Sequence, residues 1–243
     1  MFETSCKPTI LKILKVFLGT MSLGLGCYFL SLTDLGGDAL FSLQRATQKT
    51  FQLTFPDFQL GMATIILNLL FFGLMFLTGR KLIGPSTFIV ALFSGWSMVV
   101  YDEINKYLNI LPKVNGISVH SFMIFLLGLI LISYGIAKYV GENFGVAPFE
   151  NVVVFQARTF GITFGIAKII SDIEFIVLAL IINSIVSGKP FSIFGYGTII
   201  ASVLTGPLVE GFSFHKQKFP DYVAIKRKTW YNIQELKKEN NNG

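Results

Sequence analysis

The sequence predicts an all-α, polytopic membrane helix bundle. Six transmembrane helices are expected as two inverted three-helix repeats, each with a short amphipathic helix. Three observations lead there. Only 14% of the 243 residues are charged, against about 25% in a soluble domain, while 52% are hydrophobic. Mean hydropathy is +0.63. The apolar residues also gather into blocks of membrane-crossing length. This composition argues against a soluble enzyme and against a disordered chain. The net charge of +6 fits basic membrane-flanking segments better than nucleic-acid binding.

Crossing roughly 30 Å of hydrocarbon takes about 20 largely apolar residues. Segments 16–33, 60–78, 84–101, 120–139, 167–186 and 192–214 qualify. Gly84-Pro85, Asn115-Gly116 and Gly188-Lys189-Pro190 mark breaks between them. The first span follows Lys7, Lys12 and Lys15 and has no small-residue cleavage site after it, so it reads as a retained signal anchor. With the N-terminus inside, 15 of the 20 basic residues fall on the inner side and 5 outside. The positive-inside bias then puts both termini in the cytoplasm. Cys6 and Cys27 suggest no disulfide framework.

Two shorter segments, 39–53 and 149–160, follow the first and fourth spans. In the first, Leu40, Leu43, Thr47 and Phe51 oppose Gln44, Arg45, Gln48 and Lys49. Such a helix lies in the interface or re-enters the bilayer; the cost of Arg45 and Lys49 in lipid favours the interface.

The halves align in order. Gly26 matches Gly135, and Asp34-Leu-Gly36 matches Asn143-Phe-Gly145. Gly61-Met-Ala63 with Asn68 matches Gly165-Ile-Ala167 with Asp172. Gly84-Pro-Ser-Thr87 with Ser94-Gly95 matches Gly195-Tyr-Gly-Thr198 with Thr205-Gly206. The expected units are residues 1–111, residues 112–215 and a basic cytoplasmic tail, 216–243. Three spans per half is an odd number, so the halves insert with opposite topology. Secondary transporters use that architecture, and duplication also simply builds a stable bundle.

Gly145-Val-Ala-Pro148-Phe-Glu150-Asn, Phe160-Gly-Ile-Thr-Phe-Gly165, Gly195-Tyr-Gly-Thr198 and Leu204-Thr-Gly-Pro-Leu-Val-Glu210 carry a resemblance. Together they resemble the YczE/YitT-type bacterial membrane proteins. The resemblance implies a multi-pass protein of the bacterial cytoplasmic membrane and a role for Glu150. Phe149 and Glu150 replace that family's usual Trp-Asp, and Asp34-Leu-Gly-Gly-Asp38 looks like the same motif without its Pro-aromatic pair.

Ionisable groups inside spans are expensive and are functional candidates by default. The apolar run 175–186 is too short to cross, so the fifth span must take in Glu174 and Asp172. Two positions apart on a helix, these acids cannot face one cavity. Lys168, one turn before Asp172, can pair with it. Glu210 sits late in the sixth span, where a proton, a cationic substrate, Lys216 or His215 could engage it. Asn68 occupies the place of Asp172 in the other half. The candidate substrate-binding residues are therefore Asn68, Glu150, Asp172, Glu174 and Glu210.

No GxxxxGK[ST], GxSxG or HExxH motif occurs, and His120 and His215 lack metal-ligand spacing. The expectation is a non-enzymatic protein without cofactor or metal. It would be a secondary transporter of an unidentified small molecule, or a non-catalytic membrane subunit or scaffold working with a partner such as an ATPase. The tail, with Lys226-Arg-Lys228, Trp230, Tyr231, Ile233 and Leu236, is expected to bind anionic lipid headgroups.

Overall fold

The computed structural model describes residues 9–214 except 79, 115, 143 and 163; side chains of residues 81, 164, 210, 213 and 214 are also outside the description. The expected amphipathic helix of the tail, 216–243, lies outside the described residues. The elements are α1 (Thr9–Ser31), α2 (Ala39–Gln52), α3 (Leu60–Thr78), α4 (Pro85–Leu108), α5 (Val119–Val140), α6 (Pro148–Phe160), α7 (Phe164–Ser187) and α8 (Tyr196–Phe214). Short 3₁₀ turns, Arg80–Leu82 and Pro190–Ile193, precede α4 and α8. Among the described residues extended pairing is confined to one isolated bridge, Thr33 with Val114.

The chain is a polytopic membrane helix bundle. α1, α3, α4, α5 and the Gly165–Ser187 stretch of α7 are each long and apolar enough to cross a bilayer. α8 has 19 residues, and its apolar stretch Tyr196–Val209 is shorter. Helix ends follow local chemistry. Pro85 opens α4, where its missing N–H costs nothing, and Asn109 closes that helix at φ +50°. Ser118 caps α5 by accepting from the Ser121 N–H. α4 runs on past the expected span end at 101 to Leu108, and its last turns carry ion pairs from Lys106 to Asp102 and Glu103.

Two layers form the bundle. α4, α1, α5 and α8 make a row with α1 and α5 at its centre, while α2, α3, α6 and α7 close into a ring beside it. Each layer has its own large apolar cluster. The row is tight because glycines let backbones touch. A Cβ on Gly26 would lie 2.6 Å from the Gly128 carbonyl oxygen, and one on Gly135 would lie 2.6 Å from the Gly19 carbonyl oxygen. Gly206, in contrast, faces open space.

Two joints fasten the short helices to the row. The Gly197 N–H donates to the Leu35 carbonyl at 2.8 Å, just before α2, and the Ser86 N–H donates to the Phe144 carbonyl at 3.0 Å, just before α6. Each joint pairs a positive-φ glycine, Gly36 (+84°) or Gly145 (+120°), with a glycine at the start of α8 or α4. Thr87 strengthens the second joint by donating to the Val146 carbonyl at 2.7 Å.

The short helices differ from the expectation of segments lying on the interface. In α2, residues Phe41, Ser42, Leu43, Gln44, Ala46 and Thr47 are all buried, so Gln44 is covered along with the apolar face, while Arg45, Gln48 and Lys49 are half-buried. Burial fades toward Gln52, and α6 shows the same gradient from buried Pro148 to exposed Phe160. Both helices thus drive their N-termini into the bundle. Protein groups cover the cost of Arg45, which donates to the Ser31 carbonyl at 3.3 Å and lies 5.3 Å from the Phe41 ring.

Candidate functional site

The inward N-termini of α2 and α6 each carry an acid. Asp38 caps α2, accepting from the Phe41 N–H at 2.8 Å. Glu150 sits at the third position of α6. Helix N-termini carry partial positive charge, so both carboxylates sit where the backbone favours them. Opposite them, on α7, Lys168 pairs with Asp172 one turn along. Asp38 is 6% exposed, Glu150 7%, Lys168 8% and Asp172 1%. Lys168 lies within electrostatic reach of all three acids. Three buried carboxylates therefore share one buried ammonium.

An internal cavity of about 40 Å³ runs between the two layers. Asp38, Gln44, Glu150 and Lys168 line its ring side, and Cys27, Ser94, Met98 and Tyr139 line its row side. The volume accommodates about three waters. A polar solvent-facing groove of about 870 Å³ lies beside it, lined by Tyr28, Arg45, Lys49, Asp102 and Lys106 among others. Met98 borders both spaces. In the groove Lys49 donates to the Ser192 hydroxyl at 3.0 Å, and burial, with the neighbouring Arg45 charge, holds its ammonium below its ordinary pKa.

The five sequence candidates divide. Asp172 belongs to the charge cluster through Lys168, and Glu150 faces the cavity. Asn68 is fully buried and donates to the Ser94 hydroxyl at 2.9 Å, which places it one side chain from the cavity. Glu174 is not brought to the site. It is exposed on the other side of α7, as the two-residue spacing from Asp172 requires, and accepts from the Gln156 amide at 2.7 Å. The Glu210 side chain lies outside the described residues.

Sequence reasoning missed Gln44, Cys27 and Tyr139, and it gave Asp38 no role. Asp38 followed by the Phe41 N–H is a helix-start pattern that could have found it. The Tyr139 hydroxyl lies beside the Glu150 carboxyl, and two buried acceptors facing the cavity, Gln44 Oε1 and Glu150 Oε2, have no other hydrogen-bond partner. Among the described residues no group of three or more His, Cys, Asp or Glu side chains could hold a metal ion.

A bundle of apolar helices with two short helices aimed at a buried charge cluster defines a class: multi-pass membrane proteins with an internal polar site. Residues 10–214 match a family described as a family of unknown function, DUF6198, and the chain belongs to that family. No curated protein and no solved structure matches it.

Proposed function

We propose that this protein is a secondary transporter of a small solute, with its site at the cavity between the two layers. One observation carries this reading. Three carboxylates and a lysine are buried together where the N-termini of two short helices meet a cavity. Each ionised group at membrane depth costs about 3 kcal/mol on insertion scales. Apolar side chains of similar volume often hold a fold as well or better than a buried ion pair, so stability does not account for the cluster. A carrier needs such a cluster, and short helices ending at mid-depth are how carriers build one.

Inverted repeats, six spans and cytoplasmic termini in a bacterial cytoplasmic membrane belong to this proposal, as does kinship with the YczE/YitT-type proteins. The paired joints support the repeats: Leu35 with Gly197 and Phe144 with Ser86 occupy matching places in the two halves. So do Phe71 and Phe175, whose rings meet at 5.5 Å between the halves. The bond-breaking machinery of an enzyme has no counterpart in this reading. The cavity is far below the roughly 300–1,000 Å³ of a pocket for a drug-sized ligand, so it corresponds to a closed state that must open.

Cys27 tests this without knowledge of the substrate. It is buried and lines the cavity. In a Cys6→Ser background, right-side-out and inside-out vesicles are treated with a charged, membrane-impermeant thiosulfonate. Alternating access predicts Cys27 labelling in native membranes, at rates that differ between the two faces. If Cys27 reacts only after denaturation, the cavity is static, and the scaffold or membrane-subunit reading replaces transport.

A further inference from the structure

Two acceptor atoms at the cavity define what it would bind. Gln44 Oε1 and Glu150 Oε2 are both acceptors, both belong to residues more than nine-tenths buried, and neither has a hydrogen-bond donor beyond the Tyr139 hydroxyl beside Glu150. Lys168, the nearby cation, is committed to Asp172. The charged and titratable groups that face Glu150 are Asp38 from α2, Tyr139 from α5, Cys27 from α1, and Lys168 and Asp172 from α7. Three acids against one lysine leave the ionised cluster short of positive charge. Three aromatic rings, Phe41, Phe149 and Phe175, also line the cavity, among aliphatic side chains such as Val90 and Ile132. Aromatic faces attract cations that also donate hydrogen bonds. Among the described residues no three or more acidic, imidazole or thiol side chains assemble a cage for a metal ion.

The geometry points to an ammonium-type cation as the ligand: ammonium itself or the head of a small protonated amine, donating N–H bonds to Glu150 Oε2 and Gln44 Oε1. This rests on the transporter reading and names its substrate class. Ammonium is close to water in size and fits the cavity as it stands, whereas an amine with a longer tail requires the open state.

The test is thermal unfolding of the detergent-purified full chain in ammonium, methylammonium, sodium or N-methylglucamine chloride at constant ionic strength and pH 7. A ligand that binds only the folded state raises Tm in a saturable way. Ammonium and methylammonium are expected to do so, and sodium and N-methylglucamine are not. Glu150→Gln keeps the shape and removes the charge. It is expected to weaken the apparent affinity by about tenfold or more, as loss of a charge-assisted contact does. Should that variant fail to give a monodisperse protein, Gln44→Leu, which leaves every charge in place, is expected to weaken binding in the same direction. The inference is overturned if Tm is indifferent to the cation, if sodium matches ammonium, or if the folded variants keep the full effect. Cys27 labelling reports access and Tm reports the ligand, so labelling without an ammonium effect sinks this inference and spares the transporter reading. An ammonium effect with an unreactive Cys27 does the reverse.

Discussion

The Lys168 ammonium and the Asp172 carboxylate, one turn apart on α7, form an ion pair that protein encloses almost completely. Their mutual attraction is what makes either charge tolerable there. Asp172→Leu alone strands the lysine, and Lys168→Met alone strands the acid. Each single change is expected to destabilise by about 3–5 kcal/mol, while the double change costs far less. Thermal unfolding of the four proteins as a double-mutant cycle checks this. Near-additive losses would show that the pair is not coupled.

On the surface the same chemistry has little effect. Lys106 bridges Asp102 at 2.8 Å and Glu103 at 2.9 Å, with all three side chains well exposed. Water and salt weaken that attraction, so Lys106→Gln is expected to change stability by less than about 1 kcal/mol. A loss as large as that of Lys168→Met would mean that this corner is enclosed in the folded protein.

The α1–α5 contact is set by backbone, which cannot move aside as a flexible side chain can. Gly135→Ala puts a methyl 2.6 Å from the Gly19 carbonyl oxygen and 2.8 Å from the Leu23 nitrogen. The expected cost is about 1–3 kcal/mol, read as a lower melting temperature. Gly73→Ala, on an open face of α3 with nothing within 4 Å, is the control. It is expected to be neutral or to gain up to about 1 kcal/mol from helix propensity.

Met98 stands where the groove and the cavity come closest, and its sulfur accepts from the Thr64 hydroxyl at 3.6 Å. Met98→Ala removes that partition. Cys27 is then expected to react several-fold faster from the face on which the groove opens and no faster from the other. Equal acceleration from both faces would place the barrier elsewhere.

Thr87 ties the start of α4 to the entry of α6, accepting from the Gly84 N–H at 3.1 Å and donating to the Val146 carbonyl at 2.7 Å. Thr87→Val keeps the volume and loses both bonds, for an expected 1–3 kcal/mol in all, about 1 per bond. Amide exchange from Val146 to Glu150 should rise while exchange in α1 stays constant. An unchanged rate at α6 would remove Thr87 from the joint.

Five of the six expected spans were legible because lipid leaves little choice: about 20 apolar residues in a row suit a helix across the bilayer. Asp172 and Lys168 were legible for a related reason, since their spacing and their depth both stand out against apolar neighbours. Gln44 was hidden. On a helical wheel it joins Arg45, Gln48 and Lys49 on the polar side, and periodicity cannot tell a face that meets water from one that meets a polar interior. Glu174 was misleading, because depth along a span says nothing of which way a side chain points. Gly128 and Gly206 could not be told apart for the same reason: glycine in an apolar helix reads alike whether its neighbour is backbone or open space.

The two joints have a consequence for how the chain is made. The entry to α2 is held by the start of α8, whereas the entry to α6 is held by α4, which is already in place when α6 is synthesised. α2 also rests largely on α7. The earliest of the short helices therefore waits for the last helix of the bundle before its capping acid, Asp38, can be sealed from water and lipid. During synthesis the unfinished protein must hold that acid in an unfinished pocket. Chains truncated before residue 195 should leave this half open, a ready mark for the membrane's quality-control proteases.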